Sequence, residues 1–131
     1  MSLVQSPFLR RVLAVDAAAT GAVGLLLTLC GAPLADLLGL PLALTRETGL
    51  FLVACGLAIA WLASRPALRR SVVWALIAVN GLWVTESLMI LALRWVEPTG
   101  LGYAFVLAQA AAVAVIADLE YVALRRARAA A

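Results

Sequence analysis

Long apolar runs alternate along the chain with short segments that carry turn-forming and charged residues. A helix needs ~20 apolar residues to cross a ~30 Å hydrocarbon core. Four runs come close to or exceed this length, at approximately residues 9–30, 47–64, 71–93 and 100–124. The pattern predicts one integral membrane domain with four transmembrane helices. Because the connections are short, we expect an all-α, compact four-helix bundle.

The segment between the first two runs is apolar but does not simply continue the first helix. Pro33, Gly39 and Pro41 interrupt it, and proline inside a helix removes a hydrogen bond and clashes with the preceding turn. Pro33 is nevertheless compatible with the first turn of a new helix. We therefore predict a short interfacial helix at about residues 34–38, lying in the plane of the membrane surface.

Composition supports the membrane assignment and narrows the chemistry. Of 131 residues, 66% are hydrophobic and 13% are charged, whereas soluble domains carry ~25% charged residues. Histidine is absent, and Cys30 and Cys55 have no second ligand at metal-binding spacing, which excludes histidine-ligated haem, histidine-based triads and common zinc motifs. Ser87 and Cys55 also lack a nearby base of the usual kind. We expect no metal, no cofactor and no enzymatic activity.

The basic residues predict orientation, because all ten are arginines and most of them lie at one set of connections. Eight lie at the N-terminus, between the second and third spans, or at the C-terminus: Arg10, Arg11, Arg65, Arg69, Arg70, Arg125, Arg126 and Arg128. Only Arg46 and Arg94 lie in the other connections. The positive-inside rule then predicts a plasma (inner) membrane protein with both termini in the cytoplasm. We expect the clusters to contact anionic lipid headgroups, and no motif indicates nucleic-acid binding.

Short matches relate the two halves of the chain. They pair the first span with the third and the second with the fourth: residues 14–16 with 78–80, 48–50 with 99–101, and 67–70 with 123–126. One interpretation is a parallel 2+2 internal repeat. The other is coincidence, because short matches arise easily in a chain rich in alanine and leucine.

Six polar residues within the spans form a candidate intramembrane polar site: Asp16, Asn80, Glu86, Ser87, Gln109 and Glu120. At ~100° per residue, the three in the third span share one face with Trp83, which we expect to turn inward. In the fourth span Gln109 and Glu120 share a stripe, whereas Asp118 points to nearly the opposite side. Such residues inside a membrane are costly, so they indicate either a function or a partner.

Depth along the helices predicts two polar layers. Asp16 and Glu120 form the inner layer and Glu86 and Glu47 the outer one, with Asn80 and Gln109 between them. A structural interpretation stays open, in which Asp16 and Glu120 pair with the nearby arginines, and Asn80 and Gln109 join helices by hydrogen bonds. Glu86 fits that interpretation less well, because no arginine of its own span is nearer than two turns.

Small residues recur every four positions in three spans, which is typical of closely packed membrane helices. The three sets are Ala14, Ala18 and Ala22, with Ala17 and Gly21 beside them; Gly56, Ala60 and Ser64; and Ala104, Ala108 and Ala112. We therefore predict an accessory, scaffold or assembly subunit that binds a second copy of itself or another membrane protein. The alternative is a small proton-linked carrier or channel, oligomeric, that uses Glu86.

Overall fold

The computed structural model describes residues 3–130, with side chains for residues 3–127. Within this range the chain forms five helices and two very short strands: β1 (Leu3–Val4), α1 (Pro7–Leu29), α2 (Gly31–Leu38), α3 (Leu42–Ala63), β2 (Leu68–Arg69), α4 (Arg70–Ala92) and α5 (Gly100–Ala130). Helices α1, α3, α4 and α5 are long and apolar enough to cross a membrane. The prediction of an all-α protein with four candidate membrane spans is therefore confirmed.

The observed helix ends follow from local sequence. Ser6 is the N-cap of α1 and accepts a hydrogen bond from the Leu9 amide at 3.1 Å, and Pro7 occupies the first turn, where a missing N–H costs nothing. Helix α3 begins at Leu42, five residues before the predicted start at 47, because Pro41 is extended and the helix starts directly after it. Thr45 is therefore helical, and its hydroxyl donates to the Pro41 carbonyl at 3.0 Å.

Helix α2 covers Gly31–Leu38 and is longer than the predicted segment 34–38. It ends at Gly39, whose φ of 67° lies in the left-handed region that glycine adopts without steric cost. Its C-terminal end contacts the connection between α4 and α5, where the Thr99 amide donates to the Leu38 carbonyl at 3.0 Å and the Thr99 hydroxyl donates to the Leu37 carbonyl at 2.9 Å. Helix α2 is thus fixed to the start of α5.

The long helices pack mainly as two pairs. Helix α1 lies along α3, α4 lies along α5, and a smaller contact between α1 and α5 joins the pairs. Helices α3 and α4 share few backbone contacts. The spatial order is therefore α3, α1, α5, α4. This order leaves a gap between α3 and α4.

Glycines bring the backbones of α1 and α3 together. A Cβ atom on Gly24 would lie 2.6 Å from the Val53 amide nitrogen, and one on Gly56 would lie 2.9 Å from the Gly21 Cα atom. Gly56 therefore belongs to a packed face, as the small-residue spacing predicts. In α1 the side that packs against α3 contains Gly21 and Gly24, whereas Ala14, Ala18 and Ala22 on the adjacent side are exposed. Helix α1 is apolar all around, so its spacing does not identify the buried side.

One end of the molecule gathers the N-terminus, the α3–α4 connection and the end of α5. Strands β1 and β2 pair antiparallel, Arg10 donates to the Ala63 carbonyl at 3.2 Å, and Arg70 donates to the Leu124 carbonyl at 3.4 Å. A buried apolar cluster, which includes Leu13, Val73 and Leu124, lies beneath these contacts. Seven of the eight clustered arginines belong to the segments that meet here, and the side chain of Arg128 lies outside the described residues.

Candidate intramembrane polar site

Asp16, Asn80 and Glu120 form an inner polar network that connects α1, α4 and α5. Asp16 is 3% exposed and Glu120 is 0% exposed. The Asn80 amide donates to Glu120 Oε1 at 2.6 Å, and the Thr20 hydroxyl donates to Asp16 Oδ1 at 2.9 Å. Asp16 and Asn80 line the same cavity, and Asp16 lies close enough to Glu120 for their charges to interact. The structure thus brings three of the six predicted residues together.

Each of the two acids keeps one carboxyl oxygen without a partner. Asp16 Oδ2 and Glu120 Oε2 are buried and accept no hydrogen bond from the described residues. Among the side chains that the structure describes, neither acid pairs with an arginine, because both acids turn in between the helices. The arginines nearest to Glu120 along α5 contact aromatic rings instead: Arg125 lies over Tyr121 and Arg126 lies over Phe8. A buried carboxylate without a cation is costly, so the site favours protonation or a bound cation.

Ser87 and Gln109 form a second network with Trp83, nearer the other end of the bundle. The Trp83 indole N–H donates to Gln109 Oε1 at 2.6 Å, and Gln109 Nε2 donates to Ser87 Oγ at 3.0 Å. Ser87 in turn donates to the Trp83 carbonyl at 2.8 Å. These bonds join α4 to α5, as the hydrogen-bond interpretation of Gln109 predicts. The predicted intermediate layer is wrong, because Asn80 belongs to the inner network and Gln109 to this outer one.

Glu86 differs from the buried acids. It is exposed, whereas its neighbour Ser87 is buried, and it lines a cavity with Ser87 and Gln109. The expectation that Glu86 turns inward with the rest of its face is therefore corrected: one residue is ~100° of helix rotation, which places Glu86 at the edge of that face. In α5 the predicted contrast is confirmed, since Glu120 is buried and Asp118 is exposed.

Two cavities lie along the gap between α3 and α4. The inner cavity, of about 300 Å³, contains Asp16, Thr20, Cys55 and Asn80 in its wall, and the outer cavity, of about 200 Å³, contains Glu86, Ser87 and Gln109. Leu52 and Trp83 line both cavities and so form the boundary between them.

An aromatic contact bridges the gap at this boundary. The rings of Phe51 on α3 and Trp83 on α4 stack with centroids 6.1 Å apart and an interplanar angle of 11°. Sequence reasoning missed Phe51, because its role depends on the placement of α3 opposite α4. Thr20 was also missed, although its position one turn after Asp16 indicates a hydrogen bond between them.

Metal ligands do not cluster in the part of the chain that the structure describes: no three Cys, Asp or Glu side chains converge there. Comparison with known proteins found no matching family model, curated protein or solved structure. The function is therefore inferred from the geometry of the site itself.

Proposed function

We propose that the protein is a small proton-linked membrane carrier whose proton-binding groups are Asp16 and Glu120. The observation that supports this most strongly is the pair of buried carboxyl oxygens, Asp16 Oδ2 and Glu120 Oε2, that lack hydrogen-bond partners. Ionising both of two neighbouring acids that are buried among apolar helices is costly. One proton held between Asp16 and Glu120 therefore stabilises the site. In a purely structural network, buried carboxyl oxygens are normally hydrogen-bonded.

The cavities supply a path to these acids. Glu86 is the outer acid, and the outer cavity leads from it to Trp83 and Leu52. Beyond that boundary lies the inner cavity, whose wall contains Asp16 and also Asn80, the hydrogen-bond partner of Glu120. In this proposal the exposed Glu86 assists proton access, whereas the buried acids hold the proton.

Proton flux into proteoliposomes tests this assignment. With a pH-sensitive dye inside the vesicles and an imposed membrane potential, wild-type protein should move protons, and Asp16→Asn and Glu120→Gln should reduce the rate to that of empty vesicles. Asp118→Asn removes an exposed acid from the opposite side of α5 and should leave the rate unchanged. Loss of flux in Glu86→Gln, with normal flux in Asp16→Asn and Glu120→Gln, would show that the wrong acids have been chosen.

A second proposed function is that of an accessory or assembly subunit. It is favoured by α5, where Ala104, Ala108 and Ala112 are exposed and leave one small-residue face for a second copy or another membrane protein. In that case Ala108→Leu should abolish a specific co-purifying partner or the dimer, and Asp16→Asn should have no effect on it. A carrier that acts as a monomer should show the reverse pattern.

The architecture proposed with these functions is a compact bundle in a plasma (inner) membrane, with the arginine-rich end and both termini in the cytoplasm and in contact with anionic headgroups. The pairing of α1 with α3 and of α4 with α5 supports an internal 2+2 repeat, into whose first half α2 is inserted. Leu37 on α2 is 55% exposed, which favours contact of this short helix with the membrane interface. The proposal includes neither enzymatic activity nor a cofactor.

A further inference from the structure

We infer that the inner cavity binds an amphipathic organic cation with one positive charge, which enters between α3 and α4 and is held by Asp16. This inference rests on the proposed carrier function and names its substrate class. It combines four features of the cavity: its charge, its size, its apolar wall and its lateral opening.

The charge of the cavity favours a cation. Asp16 is the only charged residue among those that line it, and the other polar members of the wall are Thr20, Cys55 and Asn80. Asp16 is 3% exposed and its Oδ2 atom has no partner, so a charged hydrogen-bond donor or an ammonium group would satisfy it. An anion would meet an uncompensated carboxylate in a medium of low dielectric constant.

The size and wall of the cavity favour an organic ion over a metal ion. Its volume of about 300 Å³ lies at the lower end of the ~300–1,000 Å³ typical of small-molecule sites. Apolar side chains such as Ile59, Leu62, Leu76 and Val79 form most of the wall. A bare metal ion of the calcium type takes ~6–8 oxygen ligands, whereas this wall offers one free carboxyl oxygen and a few neutral groups.

The opening lies on the side of the bundle. Helices α3 and α4 share few backbone contacts, and Phe51 and Val79, which line the cavity on opposite sides of the gap, are 52% and 55% exposed. Ala58 and Ala75 are exposed at the same gap and are too small to close it. A ligand with an apolar body can therefore enter from the membrane, where such molecules concentrate. The stacked Phe51 and Trp83 rings can also attract its charge by cation–π contact.

Proton coupling follows from the groups that surround Asp16. Glu120 approaches it from α5, Asn80 from α4, Cys55 from α3 and Thr20 from its own helix. A proton and an organic cation satisfy the same carboxylate, so binding of one opposes binding of the other. Because Asp16 must be ionised to hold the cation, cation affinity should fall as the pH is lowered and Asp16 takes up a proton.

Binding to the purified full-length protein in detergent tests the inference. The probe is the fluorescent styryl dye 4-(4-dimethylaminostyryl)-1-methylpyridinium, followed by fluorescence anisotropy. We expect saturable binding, weakened at least about tenfold by Asp16→Asn, which corresponds to ~1.4 kcal/mol. Ala58→Trp fills the opening and should have a similar effect, whereas Asp118→Asn should bind as the wild type does. The uncharged analogue with a phenyl ring in place of the methylpyridinium should fail to compete.

Equal affinity in wild type and Asp16→Asn, or equal competition by the uncharged analogue, would overturn the inference. If Asp16→Asn does not fold, as judged by circular dichroism and gel filtration, Ala58→Trp decides in its place, since it leaves every charge intact. Asp16-dependent dye binding without proton flux supports the cation site and contradicts the carrier. Proton flux that depends on Asp16 and Glu120, without Asp16-dependent dye binding, contradicts the cation site alone.

Discussion

At the scale of single residues, the close approach of α1 and α3 depends on Gly24. The hydrogen in place of its side chain lets α1 contact the backbone of α3 around Gly49 and Val53. Gly81 provides a natural comparison, because it also lies inside a long helix but has nothing within 4 Å of the position of a Cβ atom.

We expect Gly24→Ala to lower the free energy of unfolding by ~1–3 kcal/mol, because the new methyl group would lie 2.6 Å from the Val53 nitrogen, and backbone cannot give way cheaply. Gly81→Ala should be neutral or stabilise the protein by up to ~1 kcal/mol, since alanine favours the helix. Unfolding by sodium dodecyl sulfate, followed by circular dichroism, measures both. Equal stability of the two variants would contradict the close approach.

The sequence predicts some properties of the polar residues and leaves others undetermined. Counting residues at ~1.5 Å each gives the similar depth of Asp16 and Glu120, and helical rotation separates the buried Glu120 from the exposed Asp118. The partners of Asp16 depend on how α1 is rotated against its neighbours, and an apolar helix carries little information about that rotation. The sequence therefore does not decide whether Asp16 pairs with an arginine.

At the scale of elements, Thr99 has two roles. Its hydroxyl accepts a hydrogen bond from the Gly102 amide at 3.1 Å, as an N-cap of α5 does, and donates to the Leu37 carbonyl of α2 at 2.9 Å. One side chain thus both starts a membrane helix and fixes the short helix beside it.

Thr99→Val should lower the free energy of unfolding by ~1–2 kcal/mol, because both hydrogen bonds of the hydroxyl are lost while the shape of the side chain is kept. Thr85→Val is the matched control: the Thr85 hydroxyl donates to the Gly81 carbonyl of its own helix, whose backbone hydrogen bonding does not need it. The thermal unfolding midpoint in one detergent compares the two variants. A midpoint that falls as far in Thr85→Val as in Thr99→Val would argue against the capping role.

The existence of the helices was predictable because each apolar run is close to or longer than the length that a membrane-spanning helix requires, and because prolines, glycines and arginines mark the ends. Helix α3 begins five residues before the predicted start, since a helix can begin directly after a proline such as Pro41. Ala14, Ala18 and Ala22 show the other limit: in an alanine-rich helix, small residues recur every four positions on more than one face, so their spacing does not identify the face that packs against another helix.

At the scale of the whole molecule, three chain segments with clustered arginines meet at one end, whereas Arg46 and Arg94 belong to segments near the other. The sequence predicts this grouping from the positions of the arginines alone. The order α3, α1, α5, α4 was not predictable, because it depends on contacts between segments far apart in the chain.

Reporter fusions test the orientation proposed for this arrangement. A green fluorescent protein fused after Ala131 should fluoresce, and alkaline phosphatase at the same position should be inactive, because the arginine-rich end is expected in the cytoplasm. Phosphatase inserted after Glu97, in the α4–α5 connection, should be active. The opposite pattern at both positions would reverse the topology.

The pairing of α1 with α3 also has a consequence for biosynthesis. Both helices, and α2 between them, are complete by Ala63, so a nascent chain can assemble this pair in the membrane before α4 and α5 have been inserted. Asp16 and Thr20 would then already be hydrogen-bonded to each other, and Asn80 and Glu120 would arrive later with the second pair. The polar site is completed only once α5 has been inserted, and a chain that stops before α5 would expose Asp16 to lipid or to membrane quality control.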